Sequence, residues 1–266
     1  MPLPPQRRPR PQHKGVALFV VIVFVMLSML LALWASRTSL FNEMLVGNDA
    51  DYQRAFEAAQ SLLQDAELDI RGENPDGSVC VTADKCRNYT VGKYQIPVDA
   101  QAVTPLLAQL DTQPTKCLHG LCTKRSGRQD FWNYTSVTSP APTNLQPGEV
   151  KLEDMTKPNV GARYGEYTNA TLGDKDHPAN PLLQWSNDPL NPTPDNQGGW
   201  YWIEVLRYDE SSKNSGLIVG GANTDNLLRL NLTPNVVYRI TALAYGRKPG
   251  TMAVLQQTYA RQIHKD

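Results

Sequence analysis

Four cysteines, Cys80, Cys86, Cys117 and Cys122, are the residues of this sequence whose spacing is best suited to chemistry. They form two close pairs that could bind a metal ion or form disulfides, and His119 lies inside the second pair. Both spacings, C-x5-C and C-x4-C, are looser than those of usual zinc ligands. Four cysteines allow three disulfide pairings. We favour Cys80–Cys86 and Cys117–Cys122, because each closes a short loop rich in turn formers, and pairing between the two clusters stays an alternative.

Catalytic motifs are not found in the sequence. It has four histidines, and it contains no H-E-x-x-H, G-x-S-x-G, P-loop or dinucleotide fingerprint. Adjacent carboxylates such as Asp209-Glu210 are typical of surface turns. We therefore expect no enzymatic activity and no cofactor.

The apolar run from Val16 to Ala35 is the most distinctive element of the chain. It has twenty residues without a charge, and thirteen of them are Val, Leu, Ile or Phe. A helix of this length spans roughly 30 Å, the thickness of the hydrocarbon core of a bilayer. A cleaved secretory signal is the alternative, but its apolar region has about 7 to 15 residues and ends in a small-x-small site, which Leu33-Trp34-Ala35 does not match. The run predicts a transmembrane helix over residues 16–35.

The charges are distributed unevenly around this run. Arg7, Arg8, Arg10 and Lys14 precede it without an acidic partner, which predicts a cytoplasmic N-terminus and translocation of the remainder. The remainder has 22 basic and 26 acidic residues, and this balance argues against a nucleic-acid partner. In a Gram-negative cell the translocated cysteines would lie in the oxidising periplasm, where disulfides are favoured over a zinc site.

Residues 36–71 carry the pattern of an amphipathic helix. Apolar residues recur at intervals of three and four and so share one face; they are Phe41, Met44, Leu45, Tyr52, Ala55, Phe56, Ala59, Leu62, Leu63 and Ala66. The opposite face is polar and includes Asp51 and Asp65. Turn formers from Gly72 to Gly77 end the pattern. We predict one helix of about 55 residues, with a weak point at Gly47-Asn48. A membrane anchor followed by a separate helix would give a similar pattern.

The remaining residues divide into a loop-rich part, 72–198, and a part with period-two patterning, 199–266. We expect the stretch from about 99 to 198 to be an exposed region that either contacts a partner or forms ordinary surface loops. Strands are predicted at Trp200–Tyr208, Leu217–Gly220, Leu227–Leu232, Val236–Tyr245 and Met252–Tyr259. The predicted fold class is α+β, a long N-terminal helix whose amphipathic half covers one side of a C-terminal antiparallel sheet.

A basic leader (residues 1–15) that ends in Gly15, an apolar segment and then an amphipathic helix resemble the type IV pilin architecture. More narrowly, Arg37-Thr38, Met44, Gly47-Asn48 and the stretch from Ala55 to Glu67 resemble the N-terminal module of PilX-type minor pilins. Gln60 stands where that family usually has Glu. A weaker similarity to the last two strands of the family extends from Tyr238 to Tyr259.

The resemblance implies roles for several residues. Prepilin peptidase would cut after Gly15 and leave Val16 as an N-methylated first residue, and the apolar helix with Phe19, Val20 and Phe24 would mediate assembly. The typical pilin has Glu four residues after its first residue, where this chain has Val20. In a packed pilus that carboxylate pairs with the terminal ammonium of a neighbouring subunit, and an unpaired charge there would cost several kcal/mol. We therefore hypothesise a position at or near the tip of a priming complex.

The implied function is a minor pilin of type IV pilus biogenesis that supports twitching motility or adhesion. The implied partners are other minor pilins, the major pilin, prepilin peptidase, a large tip adhesin and the inner membrane. The implied location is the inner membrane, with a periplasmic C-terminal domain, and the pilus tip after assembly. The alternatives are a pseudopilin of a type II secretion system and a membrane-tethered periplasmic enzyme or binding protein.

Overall fold

The computed structural model describes residues 14–83, 85–87, 95–134, 148–173, 179–184, 197–207 and 236–261. These residues belong to two compact units, which divide between Asp49 and Ala50. We describe each unit by itself.

Helix α1 extends from Lys14 to Arg71 without interruption. It continues through Gly47-Asn48, so the single long helix predicted from the sequence is confirmed. It ends where predicted, because Gly72 adopts a left-handed conformation with φ 71°. The Gly72 N–H donates to the carbonyl of Asp69 at 3.2 Å and the Glu73 N–H to that of Leu68 at 3.0 Å. This pair of hydrogen bonds is the Schellman motif, in which glycine ends a helix at little steric cost.

The first unit consists, in its described part, of the N-terminal portion of α1. The described residues contain one helix long and apolar enough to cross a membrane, and its most apolar window has no buried residue. This finding is consistent with a single-pass membrane anchor.

The second unit is built on a five-stranded sheet with the strand order β1-β2-β3-β4-β5. All neighbouring strands are antiparallel except β2 and β3, which are parallel. The strands are β1 (Cys117–Leu118), β2 (Leu121–Cys122), β3 (Gly199–Arg207), β4 (Val236–Tyr245) and β5 (Met252–Tyr259). Three of the predicted strands are thus confirmed to within a residue. The predicted strands Leu217–Gly220 and Leu227–Leu232 lie outside the described residues.

The main core lies between α1 and one face of this sheet. From Ala55 onward α1 presents a buried stripe of small and aliphatic side chains, among them Ala59, Leu62 and Ala66. They pack on the alternate residues of β3 and β4 that face them, such as Tyr201 and Ile240. The alanines leave room for the aromatic rings of the sheet, so the predicted packing of the amphipathic helix on the sheet is confirmed.

The opposite face of the sheet is also covered, which differs from the one-sided cover that the sequence predicts. Trp200 and Trp202 point to this face and are buried against Phe131, Leu152 and Met155. As a result, β3 is buried on both faces from Gly199 to Val205. The covering residues belong to the stretch predicted to be exposed loop, and for them that prediction was wrong. Their apolar side chains come from short irregular segments, so no period in the sequence indicates their burial.

The same stretch contains helices that the sequence did not predict. Helix α2 extends from Ala100 to Asp111, and the Asp99 side chain accepts a hydrogen bond from the Ala102 N–H at 2.7 Å. Helix α3 is a single turn, Leu152–Met155, and two 3-10 turns occur at Phe131–Asn133 and Pro181–Gln184. Helix α2 buries Val103, Leu106 and Leu110 in the main core.

Candidate functional site

The predicted assembly residues lie on α1 and expose their side chains. Val20 and Phe24 are one turn apart, and together with Val21, Val25, Ser28, Met29 and Ala32 they line one shallow apolar surface. Phe19 is exposed but does not belong to that surface. The Ser28 hydroxyl donates to the Phe24 carbonyl at 2.8 Å, so even this polar group is satisfied within the helix. The surface therefore offers neighbouring molecules only apolar contact.

The predicted cleavage position is at the start of the same helix. Gly15 is the second residue of α1, and the Val16 side chain is exposed. Cleavage between the two remains a prediction.

The four cysteines form the two local disulfides favoured from the sequence, Cys80–Cys86 and Cys117–Cys122. None of them is therefore free to act as a metal ligand. Within the described ranges no cluster of three or more His, Cys, Asp or Glu could hold a metal ion. The disulfides are buried, and their place in the fold indicates a structural role.

The second disulfide joins directly paired residues of the β1–β2 hairpin. Both residues of the hairpin turn have positive φ, 51° at His119 and 78° at Gly120. Their N–H groups donate to the carbonyls of Asn159 and Val160. The disulfide closes the hairpin, and the two hydrogen bonds join its turn to residues 159–160. The hairpin is held on β3 by the pairing of β2 with β3 and by the Ile203 N–H, which donates to the Gly120 carbonyl at 2.7 Å.

Three buried carboxylates of α1 form the polar part of the core of the second unit, residues 50–266, which we call the headgroup. Asp51, Asp65 and Asp69 are each at most 2% exposed. The helical pattern predicts Asp51 and Asp65 on the polar outer face, and this prediction is wrong. Both lie on the buried stripe of α1. Each is buried there with hydrogen bonds from residues at least 100 positions away in the sequence. The spacing 51-55-58-62-65-69 follows the helical period and is the signal that could have indicated their burial.

Asp51 binds the turn between β4 and β5. Its carboxylate accepts hydrogen bonds from the Arg247 N–H at 2.9 Å and the Lys248 N–H at 3.0 Å. Burial raises the pKa of Asp51, but the backbone N–H groups of Lys248 and Arg247, the Thr251 hydroxyl and the charge of Arg54 together lower it by more, so the net pKa is lowered. The carboxylate thus stays charged and fixes this turn on the helix.

Asp65 binds a segment that we call the strap, residues 162–170. It accepts hydrogen bonds from the Gly165 N–H, at 2.7 Å, and from the Thr168 hydroxyl. Gly165 has φ 73°, and a side chain there would collide with the Ala170 carbonyl, so the close approach requires glycine. Burial raises the pKa of Asp65 to about 7 despite these hydrogen bonds.

Asp69 binds Arg87, which follows the first disulfide loop. The guanidinium donates to both carboxylate oxygens, at 2.7 and 2.6 Å, and both side chains are buried. The Tyr201 hydroxyl donates to Asp69 at 3.0 Å, and the guanidinium lies 3.8 Å from the centre of the Tyr167 ring. Burial lowers the pKa of Arg87, but the adjacent Asp69 charge raises it by a larger amount. The net pKa is raised, so the arginine stays protonated. This bidentate pair joins α1 to the Cys80–Cys86 loop and the strap.

The described residues therefore form an exposed apolar helix surface and a headgroup held by two disulfides and three buried carboxylates. This arrangement can hold a rigid headgroup and present a helix for packing.

Comparisons with known proteins point to one family. The family model "PilX N-terminal" matches residues 14–64, and the model "Type IV pilus assembly protein PilX C-term" matches residues 118–261. No curated protein and no solved structure matches the chain at a significant level of similarity. Because the C-terminal match alone covers more than half of the 266 residues, the chain belongs to the PilX family of type IV pilus assembly proteins.

Proposed function

We propose that this chain is a minor pilin that primes type IV pilus assembly at or near the tip of the pilus. The observation that carries this proposal is Val20, an exposed apolar side chain at the position where the typical pilin has Glu. It lies within a twenty-residue segment that has no charge at all.

The energetics of a charge in a helix bundle explain why this position matters. In a packed pilus, a carboxylate at this position is stabilised by the terminal ammonium of the next subunit. Without that partner, a buried charge costs several kcal/mol. A subunit that has no neighbour in front of it avoids this cost by having an apolar residue, as Val20 is.

The proposed sequence of events begins in the inner membrane. The chain inserts with a cytoplasmic N-terminus, prepilin peptidase cuts after Gly15, and the headgroup folds in the periplasm. The apolar half of α1 then packs laterally against other minor pilins, and major pilins add below. The mechanism is packing and involves no catalysis. A large tip adhesin as a further partner, and roles in twitching motility or adhesion, belong to the same proposal.

The test is to restore the missing carboxylate with Val20→Glu in the full chain in its own cells. We expect the number of surface pili to fall towards that of a deletion strain, because the new carboxylate has no ammonium to pair with at the tip. Val20→Gln is the matched control, since it adds polarity without charge and should reduce piliation less. Pili are counted by electron microscopy, and membrane insertion is checked by fractionation. Unchanged or increased piliation with Val20→Glu would contradict the tip position.

The deletion strain also separates pilus assembly from the alternative of a type II secretion pseudopilin. The match to the PilX N-terminal module favours the pilus. We therefore expect the deletion to abolish surface pili and twitching while exoprotein secretion continues. Loss of secretion with normal piliation would support the pseudopilin instead.

A further inference from the structure

The outer edge of β5 is a long strand edge with no neighbouring strand in the part of the chain that the structure describes. β5 pairs with β4 over eight consecutive residues, Met252 to Tyr259, in a one-to-one register without a bulge. A regular strand of this length offers a straight row of backbone donors and acceptors on its other side.

The hydrogen-bond pattern shows which backbone groups form this row. The Gly246 N–H donates to the Thr251 carbonyl at 2.9 Å, so these two residues form a hydrogen-bonded pair. This pair fixes which of the following β4–β5 pairs are hydrogen-bonded and which are not. Because antiparallel pairs alternate, the N–H and C=O groups of every second residue point away from β4. These residues are Met252, Val254, Gln256 and Thr258.

This edge lacks the features that usually prevent edge-to-edge pairing. Soluble proteins protect edge strands with charged residues, proline, bulges or very short strands. β5 contains no charged residue and no proline. The opposite edge strand β1 has only two residues and is tied to β2 by the Cys117–Cys122 disulfide. Among the described residues, β5 is the outer strand that is long and regular enough to receive another strand.

We propose that the outer edge of β5 binds an extended, uncharged segment of another pilus subunit, which adds a strand to the sheet. A row of N–H and C=O groups is complementary to an extended backbone. Gln256 and Thr258 are exposed beside it, while Met252 and Val254 are half-buried. The proposal rests on the role of the chain as a pilus subunit and names a surface by which its headgroup contacts a different subunit.

A second copy of this chain is disfavoured as the occupant by symmetry. Antiparallel pairing of two β5 edges requires a two-fold axis perpendicular to the sheet. Such an axis reverses every direction in the plane of the sheet, including that of the α1 segment that lies on the sheet. Two copies inserted through α1 in one membrane have the same orientation, so this antiparallel pairing is disfavoured, and the proposal commits to a segment of a different subunit.

The test is photocrosslinking of the full-length chain in intact cells, with a benzophenone amino acid in place of Thr258. We expect an adduct with another pilin subunit, identified by mass spectrometry. The same probe at Gln109, an exposed residue of α2, should give no such adduct. Gln256→Pro removes one outward N–H and the side-chain hydrogen bond to Thr241 but leaves the backbone bonds to β4 intact, so it should reduce the Thr258 adduct about tenfold. Gln256→Ala loses the same side chain but keeps the N–H and should retain the adduct.

Gln256→Lys is a second edge variant that keeps every backbone hydrogen bond and adds a charge, and it should also reduce the adduct. The proposal is overturned if the Thr258 probe gives no adduct, reacts only with its own chain or a second copy, or is unaffected by both edge variants. These outcomes are distinct from failure of the pilus role, which the deletion strain tests. A strain that loses pili on deletion but assembles them normally with Gln256→Pro would overturn only the edge contact.

Discussion

Asp65 is a buried carboxylate that binds a proton near neutral pH in the folded chain. Burial is the main cause of its raised pKa, about 7, and the nearby charges of Asp69 and Glu166 add to it. Hydrogen bonds from Thr168 and Gly165 act in the opposite direction but do not compensate. The hydroxyls of Tyr164 and Tyr201 also interact with the Asp65 charge. The contact between α1 and the strap is therefore sensitive to pH.

We predict that Asp65→Asn removes a pH dependence of headgroup stability. Between its ordinary value of 3.8 and about 7, Asp65 binds more protons in the folded than in the unfolded chain. Its contribution to stability is therefore greatest at low pH and is lost as the pH rises through about 7. As the pH rises through this window, the wild type should lose stability and Asp65→Asn should not. The difference between their free energies of unfolding should therefore change in favour of Asp65→Asn by at most about 1.4 kcal/mol per pH unit.

The measurement is urea unfolding of the detergent-solubilised full chain at several pH values, followed by near-ultraviolet circular dichroism. The control is Asp49→Asn, which changes an exposed aspartate of the same helix and should run parallel to the wild type. Equal pH slopes for the wild type and Asp65→Asn would contradict this account.

The burial of single residues was the part of the site least predictable from the sequence. Apolar residues such as Ala59 and Leu62 were assigned correctly, because their burial follows from their type and the helical period. Asp51 and Asp65 have the same period, but a carboxylate is buried only when donors surround it. Those donors come from the β4–β5 turn and the strap, whose positions depend on the whole fold.

Among the structural elements, the Cys80–Cys86 loop is joined to α1 by an ion pair with almost no access to water. Arg87 and Asp69 have side chains that are 2% and 0% exposed. Two desolvated charges add little net stability as a pair, but either one left alone is costly. The loop and the helix are therefore coupled through Arg87.

We predict that Arg87→Met destabilises the headgroup by about 3 to 5 kcal/mol, because it leaves the Asp69 carboxylate buried without its counter-ion. The matched control is Arg128→Met, which removes the exposed partner of Asp130 and should cost less than about 1 kcal/mol. Addition of Asp69→Asn to Arg87→Met should recover part of the loss, because it removes the uncompensated charge. Both are measured by urea unfolding of the full chain, and equal losses for the two arginine variants would show that the buried pair does not hold the loop.

Strands β3, β4 and β5 were predictable because each is a run rich in β-branched, aromatic and aliphatic residues between clear turn residues. A period of two in burial is visible in parts of β4 and β5, whereas β3 is buried on both faces. Helix α2 was missed although Asp99 and the spacing of Val103, Leu106 and Leu110 are helix signals. Pro105 lies inside this helix, and the cap and the burial of these three residues offset the one hydrogen bond that proline removes. The residues that cover the face of the sheet opposite α1 come from segments that are distant in the sequence. Their burial therefore gives no local pattern in the sequence.

At the scale of the whole molecule, the proposed leader and the apolar half of α1 favour different environments. The basic leader is stable in water, whereas the apolar half of α1 is stable in the bilayer or against other apolar helices. In the proposed function residues 1–15 are the leader, and its cations Arg7, Arg8, Arg10 and Lys14 would keep the N-terminus on the cytoplasmic side. Incorporation into a fibre would draw the start of α1 out of the bilayer. Each cation that passes through the hydrocarbon core costs about 2.5 to 3.5 kcal/mol on insertion scales, so four of them oppose extraction by about 10 kcal/mol or more.

We therefore predict that the assembled chain begins at Val16 and keeps its apolar helix. Intact-mass spectrometry of sheared fibres should find residues 16–266 with one added methyl group. Gly15→Leu, which places a bulky side chain at the cleavage position, should leave the full-length chain in the inner membrane and out of the fibres. Pro11→Ala changes the leader away from that position and should be processed normally. A fibre subunit that begins at Ser36, or one that still carries the leader, would contradict assembly through a processed apolar helix.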